Sequence, residues 1–575
     1  MTEPCNIAAA LPRLAAEHPD RIAIRCPGKR AANGMARYDL TLTHAELDAR
    51  SDAIAAGLAR HGVVRGSRAV VMVRPTPEFF LLMFALFKAG AVPVLVDPGI
   101  DRRALRQCLD EAQPQAFIGI PLAHVARRLL GWARSARIRI TTGKLAWPGE
   151  VTLAEVERDG QGAGAQLAAT APDEVAAILF TSGSTGVPKG VVYRHRHFVA
   201  QVAMLGAAFG ITPSGREGDG VNLPTFPPFA LFDPALGVTS VIPDMDPTRP
   251  AAADPRKLHD AIARFGVDQL FGSPALMAVL TRHGQPLPTI KRVMSAGAPV
   301  PTEVVATLRG LLPDDAQFWT PYGATECLPV ALIEGRDLQA TRAATERGAG
   351  TCVGRPVAPN VVRIIRIDDA AIECWSDDLC VADGEVGEIT VAGPTATDSY
   401  FNRDAQTRLA KIEEALDSAE ASSVFARAGQ REHTSTARRA TRVVHRMGDV
   451  GYLDGEGRLW FCGRKSHRVE SASGPLYTEP VEPVFNVHPQ VRRTALVGVG
   501  ERGAQVPVLC VELTEGVAGR DWPRIENELR EIGRQYPHTR GIERFLRHKR
   551  FPVDIRHNAK IGREKLAPWA AKKLG

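Results

Sequence analysis

Paired cysteines are absent from this sequence. Its nine cysteines form no CxxC pair, and the two closest, Cys374 and Cys380, have no histidine cluster nearby. This pattern argues against a disulfide scaffold and a zinc site, and it predicts a reducing compartment such as the cytoplasm. Residues 1–20 also lack a basic start followed by an apolar block, so we expect no cleavable signal peptide.

Long uninterrupted hydrophobic runs are also missing. The most apolar stretch, residues 79–96, is broken by Lys88, Gly90 and Pro93. A buried helix followed by a buried strand explains this stretch better than a membrane span does. We therefore predict that no transmembrane segment is present.

Positive charge is concentrated at the end of the chain. The net charge is +7, and residues 540–575 hold eleven Lys/Arg against three Asp/Glu. Such a tail can bind acidic lipid or an acidic partner, or it can be a solvated face of a small domain. No aromatic interleaving or nucleic-acid-binding motif accompanies it, so we predict no nucleic-acid partner and leave peripheral membrane contact open.

Alternating strands and helices predict an α/β fold with a largely parallel sheet. Residues 69–73 and 91–96 are typical of buried strands, and residues 79–88 of a helix. Thr43 and Glu46 fit a capping box at the start of another helix. A length of 575 residues favours one large domain and one smaller domain.

A glycine-rich loop lies between two apolar runs, residues 175–180 and 191–193, and predicts a strand, a loop and a second strand. Three glycines allow close approach to a ligand, while four hydroxyls, backbone N–H groups and a lysine can surround phosphate oxygens. No Lys-Ser/Thr pair follows the last glycine, so this is not a Walker A loop. The candidate phosphate-binding residues are Thr181, Ser182, Gly183, Ser184, Thr185, Gly186 and Lys189.

The loop TSGSTGVPKG resembles the phosphate loop of the adenylate-forming enzymes, which include acyl-CoA synthetases, peptide-synthetase adenylation domains and beetle luciferases. Further segments follow in that family's order over nearly the whole chain. The resemblance implies an acid-activating enzyme that uses ATP and Mg²⁺. It also implies a large N-terminal domain of parallel-rich sheets layered with helices, residues 1–463, and a small mobile α+β C-terminal domain, residues 464–575.

The same resemblance implies roles for individual residues. Thr325 would lie near the α-phosphate, Glu326 would coordinate Mg²⁺, and Lys560 would bridge the carboxylate and the α-phosphate during adenylation. The residues that would contact adenine and ribose are Gly297, Ala298, Pro299, Tyr322, Gly323, Asp449 and Arg464.

An apolar, proline-stiffened segment, residues 222–232, corresponds to the border of the acyl pocket in the family. Its Phe226, Phe229 and Phe232 suit an aliphatic chain and suit ordinary core packing equally well. His195 matches a histidine that is common after the phosphate loop. It could serve the same pocket or begin a helix.

Several segments depart from the coenzyme-A-using relatives. Residues 408–445 predict a mobile insertion, the hinge position is Ser466, residues 469–477 lack the usual Lys-rich strand, and Asn558 and Ala559 precede Lys560. Together these departures resemble the olefin β-lactone synthetases of bacterial long-chain hydrocarbon synthesis. Such an enzyme adenylates a 2-alkyl-3-hydroxyalkanoic acid, and the 3-hydroxyl then closes a β-lactone.

That group implies two pathway neighbours, a hydrolase-fold decarboxylase and an NADPH-dependent reductase. Two alternatives remain open from the sequence. A long-chain fatty acyl-CoA or acyl-AMP ligase would need coenzyme A or a carrier thiol. A non-catalytic acyl-adenylate or nucleotide binding protein would bind ATP without releasing pyrophosphate.

Overall fold

The computed structural model of this chain describes residues 4–97, 100–181, 188–211, 220–416, 440–553 and 561–575. The strands of these residues, labelled β1 to β26 in chain order, are Ile22–Cys26, Leu40–Thr43, Arg68–Met72, Val92–Val96, Ala116–Gly119, Ile138–Thr141, Val151–Thr152, Val175–Thr181, Lys189–Arg194, Val221–Pro224, Thr239–Val241, Gln269–Gly272, Arg292–Ser295, Gln317–Ala324, Cys327–Glu334, Thr351–Pro356, Val361–Ile365, Gly387–Ala392, Lys411–Ala415, Thr441–Leu453, Leu459–Arg464, Val469–Ser471, Gly474–Leu476, Val491–Val499, Val506–Leu513 and Arg544–Arg547.

The α-helices of the same residues, labelled α1 to α17, are Ala10–Glu17, His44–Arg60, Pro77–Lys88, Arg102–Ala112, Pro121–Leu130, Leu153–Gly160, His195–Phe209, Phe232–Ala235, Pro255–Phe265, Pro274–His283, Thr302–Arg309, Gly335–Ala340, Arg342–Glu346, Asp404–Ala410, Thr478–Asn486, Trp522–Arg534 and Arg563–Leu574. None of them is long and apolar enough to cross a membrane.

Two large sheets dominate the fold. In the described residues, one has the order β7-β6-β5-β3-β4-β8-β9, and all of its neighbouring pairs are parallel except β8–β9. The larger sheet has the order β17-β18-β20-β21-β16-β15-β14-β13-β12-β10-β11-β1-β2, with β19 beside β20. Along this order, the neighbouring strands β14, β13, β12, β10 and β11 pair in parallel. The strands at the other end, β17, β18, β20, β21, β16, β15 and β14, pair antiparallel. The α/β prediction is confirmed.

Helix α3 explains the apolar stretch noted in the sequence. Every residue from Phe79 to Lys88 is buried, and the helix contacts β1 and β2 of the larger sheet and β4 of the smaller one. The Lys88 ammonium lies 2.6 Å from both Asp48 and Asp52, which compensates its burial. The predicted helix and strand at residues 79–96 are therefore confirmed.

The predicted capping box at the start of α2 is present. The Thr43 hydroxyl accepts a hydrogen bond from the Glu46 backbone N–H at 3.1 Å, and the Glu46 carboxylate accepts one from the Thr43 N–H at 2.9 Å. These contacts satisfy two backbone donors at the helix start. The strands on either side of the glycine-rich loop, β8 and β9, are also as predicted.

The predicted insertion, residues 408–445, forms regular secondary structure at both ends. Residues 408–410 complete α14, Lys411–Ala415 forms β19, and residues 441–445 belong to β20, which pairs with β19. Ile412 and Val444 are buried together, and Glu414 binds Arg363 and Arg442. Polar composition concealed this pairing, because the partners that neutralise Glu414 are distant in sequence. Residues 417–439 lie outside the described residues.

The segment after the hinge position, residues 469–477, forms a short hairpin although it lacks the Lys-rich pattern of the coenzyme-A-using relatives. Strand β22 pairs with β23, with Val469 opposite Leu476 and Ser471 opposite Gly474. Gly474 has φ +115°, and the Ser471 hydroxyl donates to its carbonyl oxygen at 2.7 Å. A glycine and a local hydroxyl therefore make the turn without an apolar alternation.

A separate three-stranded sheet, β24-β25-β26, lies near the end of the chain. Helices α15 and α16 share one apolar cluster with it, including Phe485, Leu509 and Leu529. Helix α17 shares a second cluster, including Val508 and Leu566. This smaller α+β unit agrees with the expected fold class, and the exact boundary at residues 463 and 464 stays a prediction.

A buried ion pair between β18 and β20 generates a stability prediction. Glu388 and Arg446 lie 2.6 Å apart, each with 1% of its side chain exposed, and Lys465 lies 2.9 Å from the other Glu388 oxygen. Glu388→Ala should lower the free energy of unfolding by about 3–5 kcal/mol, because it leaves a buried guanidinium without its counter-charge. Urea unfolding measures this change, with the exposed Glu385→Ala as the matched control. Equal midpoints for the two variants would contradict it.

Candidate active site

The carboxyl ends of the neighbouring parallel strands β13 and β14 carry residues predicted to contact a base. Gly297, Ala298 and Pro299 follow the end of β13, while Tyr322 and Gly323 lie near the end of β14. Gly297 has φ +97°, which favours glycine. A Cβ on Gly323 would lie 2.9 Å from a carbonyl oxygen of β15, so the strand pairing leaves little room for a side chain. Ligands of α/β proteins bind outside such strand ends.

Three predicted nucleotide-binding residues meet at this edge. The Tyr322 hydroxyl donates to Asp449 Oδ2 at 2.6 Å, and Arg464 Nη1 lies 2.9 Å from Asp449 Oδ1. Asp449 and Arg464 are direct partners across β20 and β21. The charge of Asp449 raises the pKa of Arg464, while burial and the same charge raise the pKa of Tyr322. The structure therefore fixes a carboxylate between a neutral phenol and a guanidinium.

The turn between β14 and β15 holds Thr325 and Glu326. The Tyr193 hydroxyl, from β9 of the smaller sheet, donates to the Thr325 carbonyl oxygen at 2.5 Å. The Thr397 N–H and hydroxyl donate to the Glu326 carbonyl oxygen at 2.8 and 2.9 Å. The Tyr400 hydroxyl donates to Glu326 Oε1 at 2.7 Å. Both the backbone and the carboxylate of this turn are thus held in place.

The ends of the glycine-rich loop meet the same group of residues. Thr181 and Lys189 face each other where β8 ends and β9 begins. The Lys189 ammonium lies 5.0 Å from the centroid of the Tyr400 ring, whose hydroxyl holds Glu326. The structure thereby brings Lys189 and Glu326 to one place. The other predicted loop residues, Ser182, Gly183, Ser184, Thr185 and Gly186, lie outside the described residues, as does Lys560.

The structure places His195 at the other end of strand β8. His195 begins α7 directly after Arg194, which faces Val175 at the start of β8. The six residue steps from Val175 to Thr181 correspond to about 20 Å. The ring is buried, its nitrogens have no hydrogen-bond partner among the described residues, and burial lowers its pKa to about 4. This environment suits a neutral packing histidine better than a pocket residue.

The three predicted pocket phenylalanines form a chain of ring contacts. Ring centroids are 5.3 Å apart for Phe226 and Phe229, and 6.3 Å apart for Phe229 and Phe232. Phe232 is buried in the core shared by the two large sheets, while Phe226 and Phe229 are half-buried. The segment follows the carboxyl end of β10, at the same sheet edge as Tyr322. This position is consistent with the border of an acyl pocket.

Sequence reasoning missed two residues beside Glu326. The sequence patterns assign no role to Tyr400, and they place Lys411 within the predicted insertion. The Lys411 ammonium donates to the Thr397 hydroxyl at 3.2 Å and to the Thr397 carbonyl oxygen, and it lies 5.8 Å from the Tyr400 ring centroid. Burial lowers the pKa of Lys411 to about 8, against the opposing charge of Glu326. No local pattern marks a single lysine as buried.

Comparison with known proteins identifies close relatives over the whole chain. A family model described as AMP-binding enzyme matches residues 11–401. The chain is 73% identical to an olefin beta-lactone synthetase of Xanthomonas campestris pv. campestris over 573 residues, covering 100% of this chain and 98% of the relative. It is 68% identical to an olefin beta-lactone synthetase of Stenotrophomonas maltophilia, covering 100% and 99%.

Solved structures share the fold. An amide bond synthetase from Marinactinospora thermotolerans superposes with a TM-score of 0.73 at 20% identity, over 98% of this chain and 99% of that one. An O-succinylbenzoate coenzyme A synthetase from Bacillus subtilis, solved with ATP and a magnesium ion, gives a TM-score of 0.68 at 21% identity, over 97% and 98%. At these identities the likeness shows the fold alone.

The burial of Lys411 generates a pH prediction. Its pKa in the fold is about 8, below the ordinary value of 10.5, so between these values the unfolded chain binds a proton that the folded protein has lost. Stability of the parent relative to Lys411→Met should therefore rise with pH over this window, by up to about 3 kcal/mol. Urea unfolding of both proteins from about pH 7 to pH 10 measures it.

The exposed Lys29→Met variant controls for the loss of any lysine. A stability difference between the parent and Lys411→Met that stays constant across this pH range would contradict the prediction.

Proposed function

The chain belongs to the AMP-binding enzyme family, and we propose that it converts a long-chain 2-alkyl-3-hydroxyalkanoic acid to a β-lactone, using ATP and releasing AMP and pyrophosphate. The observation that carries this proposal is full-length similarity to two olefin beta-lactone synthetases, and the hydrogen-bonded groups around Asp449 and Glu326 support it. The reaction would belong to bacterial long-chain olefin biosynthesis.

In the first step, a substrate carboxylate oxygen attacks the α-phosphorus of ATP and pyrophosphate leaves. Charge develops on the phosphoryl oxygens, so positioning and electrostatic stabilisation dominate catalysis. We assign the ribose hydroxyls to Asp449 and Arg464 and the base to Tyr322 and the segment of Gly297. The glycine-rich loop and Lys189 would hold the outer phosphates, with Thr325 near the α-phosphate and Lys560 at the developing charge.

The residues around Glu326 fit a magnesium ion. Among the described residues, the structure shows a partner for one Glu326 carboxylate oxygen, the hydroxyl of Tyr400, and the side chain is half-buried. One carboxylate together with substrate phosphate oxygens and water is a common Mg²⁺ environment. Bound there, the ion would neutralise charge on the phosphates. Tyr400 would orient the carboxylate, Thr397 would hold the Glu326 backbone, and Lys411 would hold Thr397.

In the second step, the substrate's own 3-hydroxyl oxygen attacks the carbonyl carbon of the acyl-adenylate. The bond from this carbon to the bridging oxygen breaks, AMP leaves with that oxygen, and the hydroxyl proton is released. The nucleophile is already attached to the substrate, so no second cosubstrate needs to bind. This supports a role without coenzyme A. We propose a cytoplasmic enzyme whose partners include the decarboxylase and reductase of the same pathway.

Product analysis tests the proposed function. We expect ATP, Mg²⁺ and a synthetic 2-alkyl-3-hydroxy acid to give AMP, pyrophosphate and a product lighter than the acid by one water, without coenzyme A. Mass spectrometry detects this product, and heating should convert it to an alkene with loss of CO₂. A thioester that forms only with coenzyme A would identify an acyl-CoA ligase instead. ATP binding without pyrophosphate release would identify a non-catalytic binding protein.

Lys560→Ala tests the adenylation step. We expect pyrophosphate release to fall by about 10²- to 10³-fold, because a charge that stabilises the transition state is removed, while ATP affinity stays largely intact. Stopped-flow pyrophosphate release and equilibrium ATP binding separate the two effects. Lys565→Ala, in the same basic segment, is the matched control. Unchanged pyrophosphate release by Lys560→Ala would remove the role assigned to this lysine.

Glu326→Gln tests the magnesium assignment. The Mg²⁺ concentration for half-maximal rate should rise by more than about tenfold, because the amide is a weaker ligand. Tyr400→Phe should shift the titration in the same direction by less, since it leaves the carboxylate in place but removes its hydrogen bond. Rate against free Mg²⁺ at saturating ATP measures both shifts. Superimposable titrations for parent and Glu326→Gln would contradict the role.

A further inference from the structure

A group of strongly exposed apolar side chains lies on the smaller sheet's side of the molecule. Leu122 and Leu129 of α5 are 67% and 80% exposed, and Leu145 and Trp147 of the following loop are 84% and 51% exposed. Single exposed leucines are ordinary, but four large apolar side chains on two adjoining segments are not. We call these four residues the Leu–Trp patch.

The two segments of the patch are fixed to each other. The Arg128 guanidinium lies 4.5 Å from the centroid of the Trp147 ring. Arg128 and His124, both on α5, each lie 3.1 Å from the same oxygen of Glu150, which is buried at the end of the loop. The buried polar residues of α5 are His124 and Arg127, so its leucines face away from the core. Leu122 and Leu129 are two turns apart and lie on one line along the helix.

The stretch of sequence that carries the patch is rich in positive charge. Residues 121–149 contain six Lys/Arg and no Asp or Glu. Among these cations, Arg128, Arg134, Arg137 and Lys144 are exposed. The nearest acid in sequence, Glu150, is buried and already paired with Arg128 and His124. An approaching partner therefore meets apolar side chains on a segment that also exposes Arg134, Arg137 and Lys144.

We propose that the Leu–Trp patch binds the surface of an anionic lipid membrane. Leucines and a tryptophan can enter the boundary between lipid headgroups and acyl chains, while arginines and a lysine meet lipid phosphates. The apolar side chains are exposed by half or more of their surface, as insertion requires, and the charge is complementary to anionic headgroups.

The patch also has a defined position relative to the active site. Helix α5 follows the carboxyl end of β5, and the loop follows the carboxyl end of β6, at the sheet edge where β8 leads into the glycine-rich loop. Four strand spacings separate β6 from β8, or about 19 Å. A lipid-bound molecule would hold this sheet edge near the membrane. If the proposed function holds, a water-insoluble acid would be available there.

Vesicle co-sedimentation of the full chain tests the proposal, whether or not the enzyme is active. We expect binding to phosphatidylglycerol/phosphatidylcholine vesicles, weaker binding to phosphatidylcholine alone, and loss of binding as salt increases. Leu129→Glu/Trp147→Glu should reduce the bound fraction at least about tenfold, and Arg134→Glu/Lys144→Glu should also reduce it.

Lys572→Glu/Lys573→Glu, in the basic C-terminal segment, is the matched control and should retain binding. Unfolding midpoints check that each variant is folded. Equal vesicle binding by the parent and Leu129→Glu/Trp147→Glu would overturn the proposal, as would loss of binding in the C-terminal variant alone. Absence of vesicle binding by the parent would overturn it too and would direct the search to an acidic protein partner.

Discussion

The hydrogen bonds that hold the Thr325–Glu326 turn join the two large sheets, and the candidate site depends on them. Tyr193 reaches the turn from the smaller sheet, and Thr397 and Tyr400 reach it from a segment that pairs with β9. The ends of parallel strands from both sheets are thereby brought to one place. The proposed phosphate-binding loop of one sheet and the proposed nucleotide contacts of the other then need no further element to align them.

Around this turn the protein fixes charges before a substrate arrives. Asp449 is held between a phenol and a guanidinium, and Lys411 is buried beside Thr397. Such groups cost stability, because burial disfavours their charged forms. In the proposed reaction, groups fixed in this way would stabilise developing charge without having to reorganise. Burial lowers the pKa of Lys411, and the charge of Asp449 raises the pKa of Arg464.

Local sequence patterns predicted those features whose causes are local. The capping box of Thr43, the buried helix α3 and the strands around the glycine-rich loop follow from neighbouring residues. Strand β19 and the role of Lys411 depend on partners far away in sequence, so polar composition hid them. His195 sits in a motif near the loop, yet strand β9 carries it to the opposite sheet edge. The hairpin after the hinge depends on one glycine turn.

In the proposed reaction, the carboxyl group is activated and the hydroxyl closes the ring. Isotope tracing tests it most directly, with one substrate sample carrying ¹⁸O in the carboxylate and another carrying ¹⁸O in the 3-hydroxyl. Carboxyl activation predicts one carboxylate ¹⁸O in AMP, and it predicts that the hydroxyl ¹⁸O stays in the lactone. Appearance of the hydroxyl label in AMP or pyrophosphate would show that the hydroxyl is the activated group, and would contradict the account.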